Sequence, residues 1–168
     1  MPPDGGPLVF SPIRPYNETL EPFMDYLVYA KKSGPIDVEG LVKGKINAVA
    51  MGAVGRRLPL ALAPGDRVYF AVDGESRNGP QPQVVAKAIV KDVDGSAADG
   101  FDPKKEFARR ADLLGFCEKD VKKWSSKKHV QIVEFAHAVR TFPFGITLPE
   151  AARSGWSPVG YINRIRIA

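Results

Sequence analysis

The sequence predicts an α+β fold: a small, mixed β-sheet curled into a partly closed barrel, with peripheral helices. Three observations carry this. Apolar, β-prone runs recur at residues 25–30, 46–51, 67–72, 83–93 and 128–139. Helical patterns gather in two insertions instead of following every strand, which argues against a doubly wound parallel sheet. The run at 128–139 is apolar on both faces, as a central or barrel strand would be.

Taken in order, residues 1–24 form a proline-rich arm, and residues 25–168 a single domain. The segment DYLVYA (25–30) reads as the first strand. A short helix fits residues 36–43, with Gly44 as its stop. Residues 46–51 read as a strand broken by Gly52 and Gly55, and 58–63 as a helical turn closed by Pro64 and Gly65. The stretch PGDRVYFAVDG then gives a turn, a strand at 67–72 with Val68, Phe70 and Val72 inward, and a second turn. Its connector carries two turn signals, Asp73-Gly74 and Asn78-Gly79, and reads as a long hairpin loop before the antiparallel return at 83–93.

The middle of the chain changes character. Asp102 can cap a helix with Pro103 in its first turn and Gly115 at its end. Residues 118–128 form a second short helix or turn. In the strand at 128–139, alternation places Val133, Phe135 and Val139 on one side and Val130, Ile132, Ala136 and Ala138 on the other. An irregular bend follows, then a possible short helix from Pro149. The end alternates Tyr161, Asn163 and Ile165 with Ile162, Arg164 and Arg166.

Composition narrows the function classes. A hydrophobic share of 44% is ordinary for a globular domain. Cys117 is the one cysteine, so no internal disulfide forms and a reduced setting is expected. The opening residues lack the basic and apolar regions of a secretory signal, and no run is long enough to span a membrane, so a cytoplasmic location is expected. Net charge is +5, and residues 101–128 hold nine basic and five acidic residues, which is most of that excess. A local basic cluster suits a polyanionic partner; its plainer reading is a solvated helical face.

Chemistry-bearing motifs are sparse. His129 and His137 stand about 26 Å apart along a regular strand, too far for one ion, so no metal and no cofactor are expected. Cys117 lacks an evident base, and no nucleophile elbow is present. The segment GAVGRR (52–57) is no phosphate-binding P-loop. Its two glycines nonetheless let backbone N–H groups approach a ligand, and Arg56 and Arg57 can meet phosphates. Tyr26, Tyr29, Trp124, Phe142, Phe144 and Trp156 fall at strand ends or in loops near basic residues, a placement that suits stacking on unpaired bases as well as core packing.

The run INAVAMGAVGRRLPLALAPGDRVYFAV…PQVVAKAIVKDV resembles the EVE domain of the PUA-like superfamily. The likeness covers about residues 25–150 and is strongest at PGDRVYFAV. Ile46-Asn47-Ala48-Val49 stands where many such domains carry a tryptophan-bearing motif. The resemblance implies a non-enzymatic module binding RNA or DNA, extending to a modified or flipped base in an aromatic pocket. Asn47, Gly52, Arg56 and Arg57 would line the site, Tyr29, Phe144 and Trp156 would stack, and Lys122, Lys123, Lys127 and Lys128 would attract phosphates. Two alternatives stand beside it. One is an ASCH-like enzyme or binder of a nucleoside-type small molecule, using Asp66, Glu134 and His137. The other is a protein-interaction domain docking through its N-terminal arm.

Overall fold

In the computed structural model, the residues described are 24–31, 36–52, 61–154 and 156–167. Six strands form one sheet: β1 (Asp25–Tyr29), β2 (Ala48–Gly52), β3 (Arg67–Ser76), β4 (Gly79–Gly95), β5 (Val130–Gly145) and β6 (Trp156–Gly160), in the order β2-β5-β4-β3-β1-β6. β1 runs parallel to β3, and all other neighbours pair antiparallel. Helix α1 (Val38–Val42) joins β1 to β2. Helices α2 (Pro103–Arg109), α3 (Ala111–Leu114) and α4 (Glu118–Ser125) separate β4 from β5, and 3₁₀ turns at Glu150–Ser154 and Ile162–Arg164 flank β6.

The sheet is curled, and three rings show how far. Strands β5 and β6 stand four places apart, which in a flat sheet is roughly 19 Å. Yet the Phe135 ring of β5 lies parallel to Trp156 of β6 at 6.4 Å, and meets Phe70 of β3 edge-on at 5.5 Å. The concave face thus encloses the main core, with Tyr26, Val28, Val68, Phe70, Ala88 and Val133 buried in it under α1 and Leu62. Val68 and Phe70 point inward as expected, and Val72 packs at the margin.

The convex face is covered in two separate patches. Helices α2–α4 seat Phe107 and Leu114 over Ala48, Val130 and Ile132. The C-terminal turns seat Ala152 and Ile162 over Leu27, Tyr69, Ala71 and Val84.

The turn before β3 explains its Gly-Asp pair. Gly65 has φ +96°, a conformation that costs glycine little. The fully buried Asp66 carboxylate accepts from the backbone N–H groups of Met24 and Ala63, tying the entry of β1 to this turn.

Several expectations shift. The long hairpin loop is instead paired ribbon: β3 and β4 stay in register down to Ser76 and Gly79, leaving only Arg77 and Asn78 at the tip. Gly79 supplies φ +111° there, while Asp73-Gly74 lies within the strand. The bend after residue 139 is also strand, interrupted by bulges. His137 adopts φ +54°, and pairing slips there by one residue. Side-chain parity flips as a result: Ala138 packs on the main core and Val139 turns to solvent. Between Val84 and Ala86 the slip is larger, and Phe142 stands 94% exposed. The terminal segment forms a 3₁₀ turn instead of an alternating strand. Residues 61–63 are not helical, and residues 58–60 of that expected turn, like arm residues 1–23, lie outside the described residues.

Candidate nucleic-acid interface

Helix α4 opens at Cys117, whose backbone N–H and thiol both donate to the Asp120 carboxylate, at 3.1 and 3.3 Å. Those two bonds, the backbone one first, hold Asp120 below the ordinary carboxylate range. One side of the helix is aromatic: Trp124 stacks on Phe116 at 6.0 Å and lies 6.0 Å from Phe107, which is fully buried. With that side packed, Lys122 and Lys123 stand exposed, and Lys128 is exposed just beyond the helix. Lys127 folds back over the Trp124 ring, its ammonium 5.1 Å from the centroid. Lys122 also lines a surface groove of about 1030 Å³ between α2 and α4, with Lys104, Phe116, Cys117 and Lys119.

Gly52 ends β2 beside this cluster. A Cβ placed on it would lie 3.8 Å from the Lys127 chain and 3.9 Å from the Trp124 ring. Gly52 pairs with Val130, and Gly95 with Gln131, so β2, β5 and β4 finish at one end of the sheet. There a cavity of about 450 Å³ opens between residues 93–98 and 129–131. Ser96 closes its turn, its hydroxyl donating to the Val130 carbonyl and accepting from the Val130 N–H. Gly95 is required by closeness: a Cβ would sit 2.6 Å from the Val130 carbonyl oxygen. Gly52, expected to line the site, and Lys127, expected at phosphates, meet at this end; the cavity beside them leaves the Gly95-Ser96 pair as its trace in the sequence.

The remaining expected site residues lie elsewhere. Tyr29 and Phe144 both pack on the C-terminal patch of the convex face. The Tyr29 hydroxyl donates to Asp73, and that bond, followed by burial, pushes its phenol above the ordinary tyrosine value. The Arg166 guanidinium lies 4.4 Å over the Phe144 ring. Trp156 is the clear correction to the stacking trio: it is 4% exposed, on the opposite face of the sheet, with its ring against Phe135. Burial makes it core, since a base needs an open ring face. Asn47 is a structural link, its N–H donating to the Leu113 carbonyl and its carbonyl accepting from Phe135, while the side chain is exposed. Arg56 and Arg57 lie outside the described residues.

The three candidates for acid–base chemistry do not form a set. Asp66 serves the β3 turn, and His137 sits exposed in its bulge. Glu134 belongs to a cluster that sequence alone did not reveal. The Arg110 side chain, 4% exposed, reaches Glu106 at 2.7 Å, Asp94 at 3.0 Å, Glu134 at 3.3 Å and Asp92 at 3.8 Å. It bolts α2 to β4 and β5. Among the described residues, no group of three His, Cys, Asp or Glu side chains is placed to hold a metal ion. None of their helices is long and apolar enough to cross a membrane.

The architecture is a mixed, six-stranded curled half-barrel with few helices, a PUA-like fold. More particularly, the chain is similar to the ASCH protein of Zymomonas mobilis. A serine-to-alanine mutant of that protein superimposes with a TM-score of 0.56 at 12% identity, covering 81% of this chain and 88% of that one. The protein without that substitution gives 0.51 at 15% identity over 71% and 72%, and a tyrosine-to-phenylalanine mutant 0.50 at 14% over 71% and 74%. At such identities the likeness establishes the fold. The chain matches no protein-family pattern and no curated protein, so the resemblance to EVE domains rests on the sequence motifs alone.

Proposed function

We propose that the chain is a binding module for single-stranded RNA or DNA. The observation that carries this reading is Lys127 held on the Trp124 ring beside Gly52, with Lys123 and Lys128 exposed nearby. The Trp124 ring holds Lys127 in place, so with Lys123 and Lys128 it presents fixed positive charge, the counter-charges that the phosphates of a strand need. The PUA-like fold supports the reading without specifying it.

Titrating labelled single-stranded oligonucleotides at two salt concentrations tests it. Binding should weaken with salt by a slope of about −0.7 per phosphate contact. No binding at low salt, or binding indifferent to salt, sinks the proposal.

A second reading, an ASCH-like enzyme or binder acting on a nucleoside-type compound, draws on the same fold likeness. It is weakened by Asp66 and Glu134 being engaged in structural contacts.

A further inference from the structure

We propose that the cavity between residues 93–98 and 129–131 receives one unpaired base of the bound strand and favours bases that carry an exocyclic amino group. This rests on the nucleic-acid reading and adds a pocket and a preference to it.

Three observations converge. The cavity, about 450 Å³, falls within the range of roughly 300–1,000 Å³ usual for small-ligand sites. Its wall includes His129, which directly follows Lys127 and Lys128, so a strand whose phosphates meet those lysines passes the cavity mouth. Its polar wall combines the Asp94 carboxylate, an acceptor only, with Ser96, His129 and the Gln131 amide. Asp94 is partly exposed there, receiving one bond from the Gly95 N–H at 2.8 Å and one ion pair from Arg110 at 3.0 Å. A carboxylate has about four acceptor sites, so capacity remains for a ligand donor. The Ser96 hydroxyl is committed to Val130 in both directions.

The orientation follows from charge. A phosphate would be repelled by Asp94 and drawn to Lys127 and Lys128, so the backbone stays outside and the base goes in. The Asp94 carboxylate rewards the amino groups of adenine, cytosine and guanine. Uracil and thymine offer it only the ring N3–H, flanked by two carbonyls that a carboxylate repels.

The test measures affinities of the full chain for homopolymeric adenine, cytosine and uracil oligonucleotides at one low salt concentration. Adenine and cytosine strands should bind about tenfold tighter than uracil strands, the size of one charge-assisted hydrogen bond. Ala98→Trp, a substitution at an exposed residue of the cavity wall, should fill the space and erase the preference while leaving salt-dependent binding. Asp94→Asn should narrow the preference, and His129→Ala should weaken all three. Equal binding of the three strands, a preference for uracil, or a preference that survives Ala98→Trp overturns the cavity assignment and leaves the broader reading standing. Absence of binding by every strand removes both.

Discussion

The Lys127 ammonium lies 5.1 Å from the centre of the Trp124 ring, and the two side chains together cover Gly52 at the end of β2. This pair joins the helical insertion to the sheet edge, and its members serve different ends. Trp124 packs against Phe107 and Phe116, so Trp124→Ala should cost about 2–4 kcal/mol, somewhat under a fully buried tryptophan. Lys127→Gln removes only a partly solvated cation–π contact and should cost no more than about 1 kcal/mol. Urea denaturation separates the two. Equal losses would mean that Lys127 carries structure instead of charge for a ligand.

Asp25 is fully buried and accepts from Arg67 Nε at 2.8 Å and from the Ile162 N–H at 2.7 Å, joining β1, β3 and the C-terminal turn. Asp25→Ala strands a buried N–H and should destabilise by roughly 2–4 kcal/mol. Arg67→Gln leaves a buried carboxylate without its counter-charge and should cost a comparable amount. The double variant should lose less than the sum of the two, because the lone charge is then gone. Additive losses in urea unfolding would show that the pair is not coupled.

Tyr29 supplies a pH marker on the opposite convex patch. Its hydrogen bond to Asp73, then burial, keeps the phenol protonated above the ordinary 10.0. A folded-state value raised in this way adds stability that is complete below pH 10.0 and disappears as pH climbs through the shifted value. In ultraviolet titration the late-ionising tyrosine signal should lose one component in Tyr29→Phe, and that component should move earlier in Asp73→Asn. Tyr69 is also raised, chiefly by burial, and should not respond to Asp73→Asn. A Tyr29 midpoint unchanged in Asp73→Asn would assign the shift to burial alone.

Gly95 lets β4 and β5 close on each other. Gly95→Ala sets a Cβ 2.6 Å from the Val130 carbonyl oxygen, a clash with backbone that no rotamer relieves, and should cost about 2 kcal/mol or more. Gly44 has φ +75° with open space around its Cβ position, so Gly44→Ala should cost only the left-handed penalty of about 1 kcal/mol. Paired thermal melts read the difference, and a larger loss at Gly44 would contradict the packing at the β4–β5 end.

Local pattern carried much of this fold. Gly65-Asp66 before β3, Asp102-Pro103 at α2 and Gly115 in the left-handed conformation after α3 are signals whose cause lies within a few residues. What stayed hidden depends on distant partners. Nothing near Trp156 indicates that Phe135 will cover its ring, because that contact exists only once the sheet curls. The parity flip at His137 is set by pairing with β4, and period-two alternation cannot anticipate a bulge. Arg110 looked like one more solvated cation because its acidic neighbours come from α2, β4 and β5 together. The candidate site was half legible for the same reason: Gly52 and Lys127 meet, while Tyr29 and Phe144 belong to another patch.

The most direct test of the central claim compares salt dependence of single-stranded oligonucleotide binding between the natural chain and a Lys127→Gln/Lys128→Gln variant. If both lysines meet phosphates, the variant binds more weakly and its slope against the logarithm of salt falls by about 1.4, two contacts at about 0.7 each. An unchanged slope with unchanged affinity would place the nucleic acid elsewhere, or nowhere, on this fold.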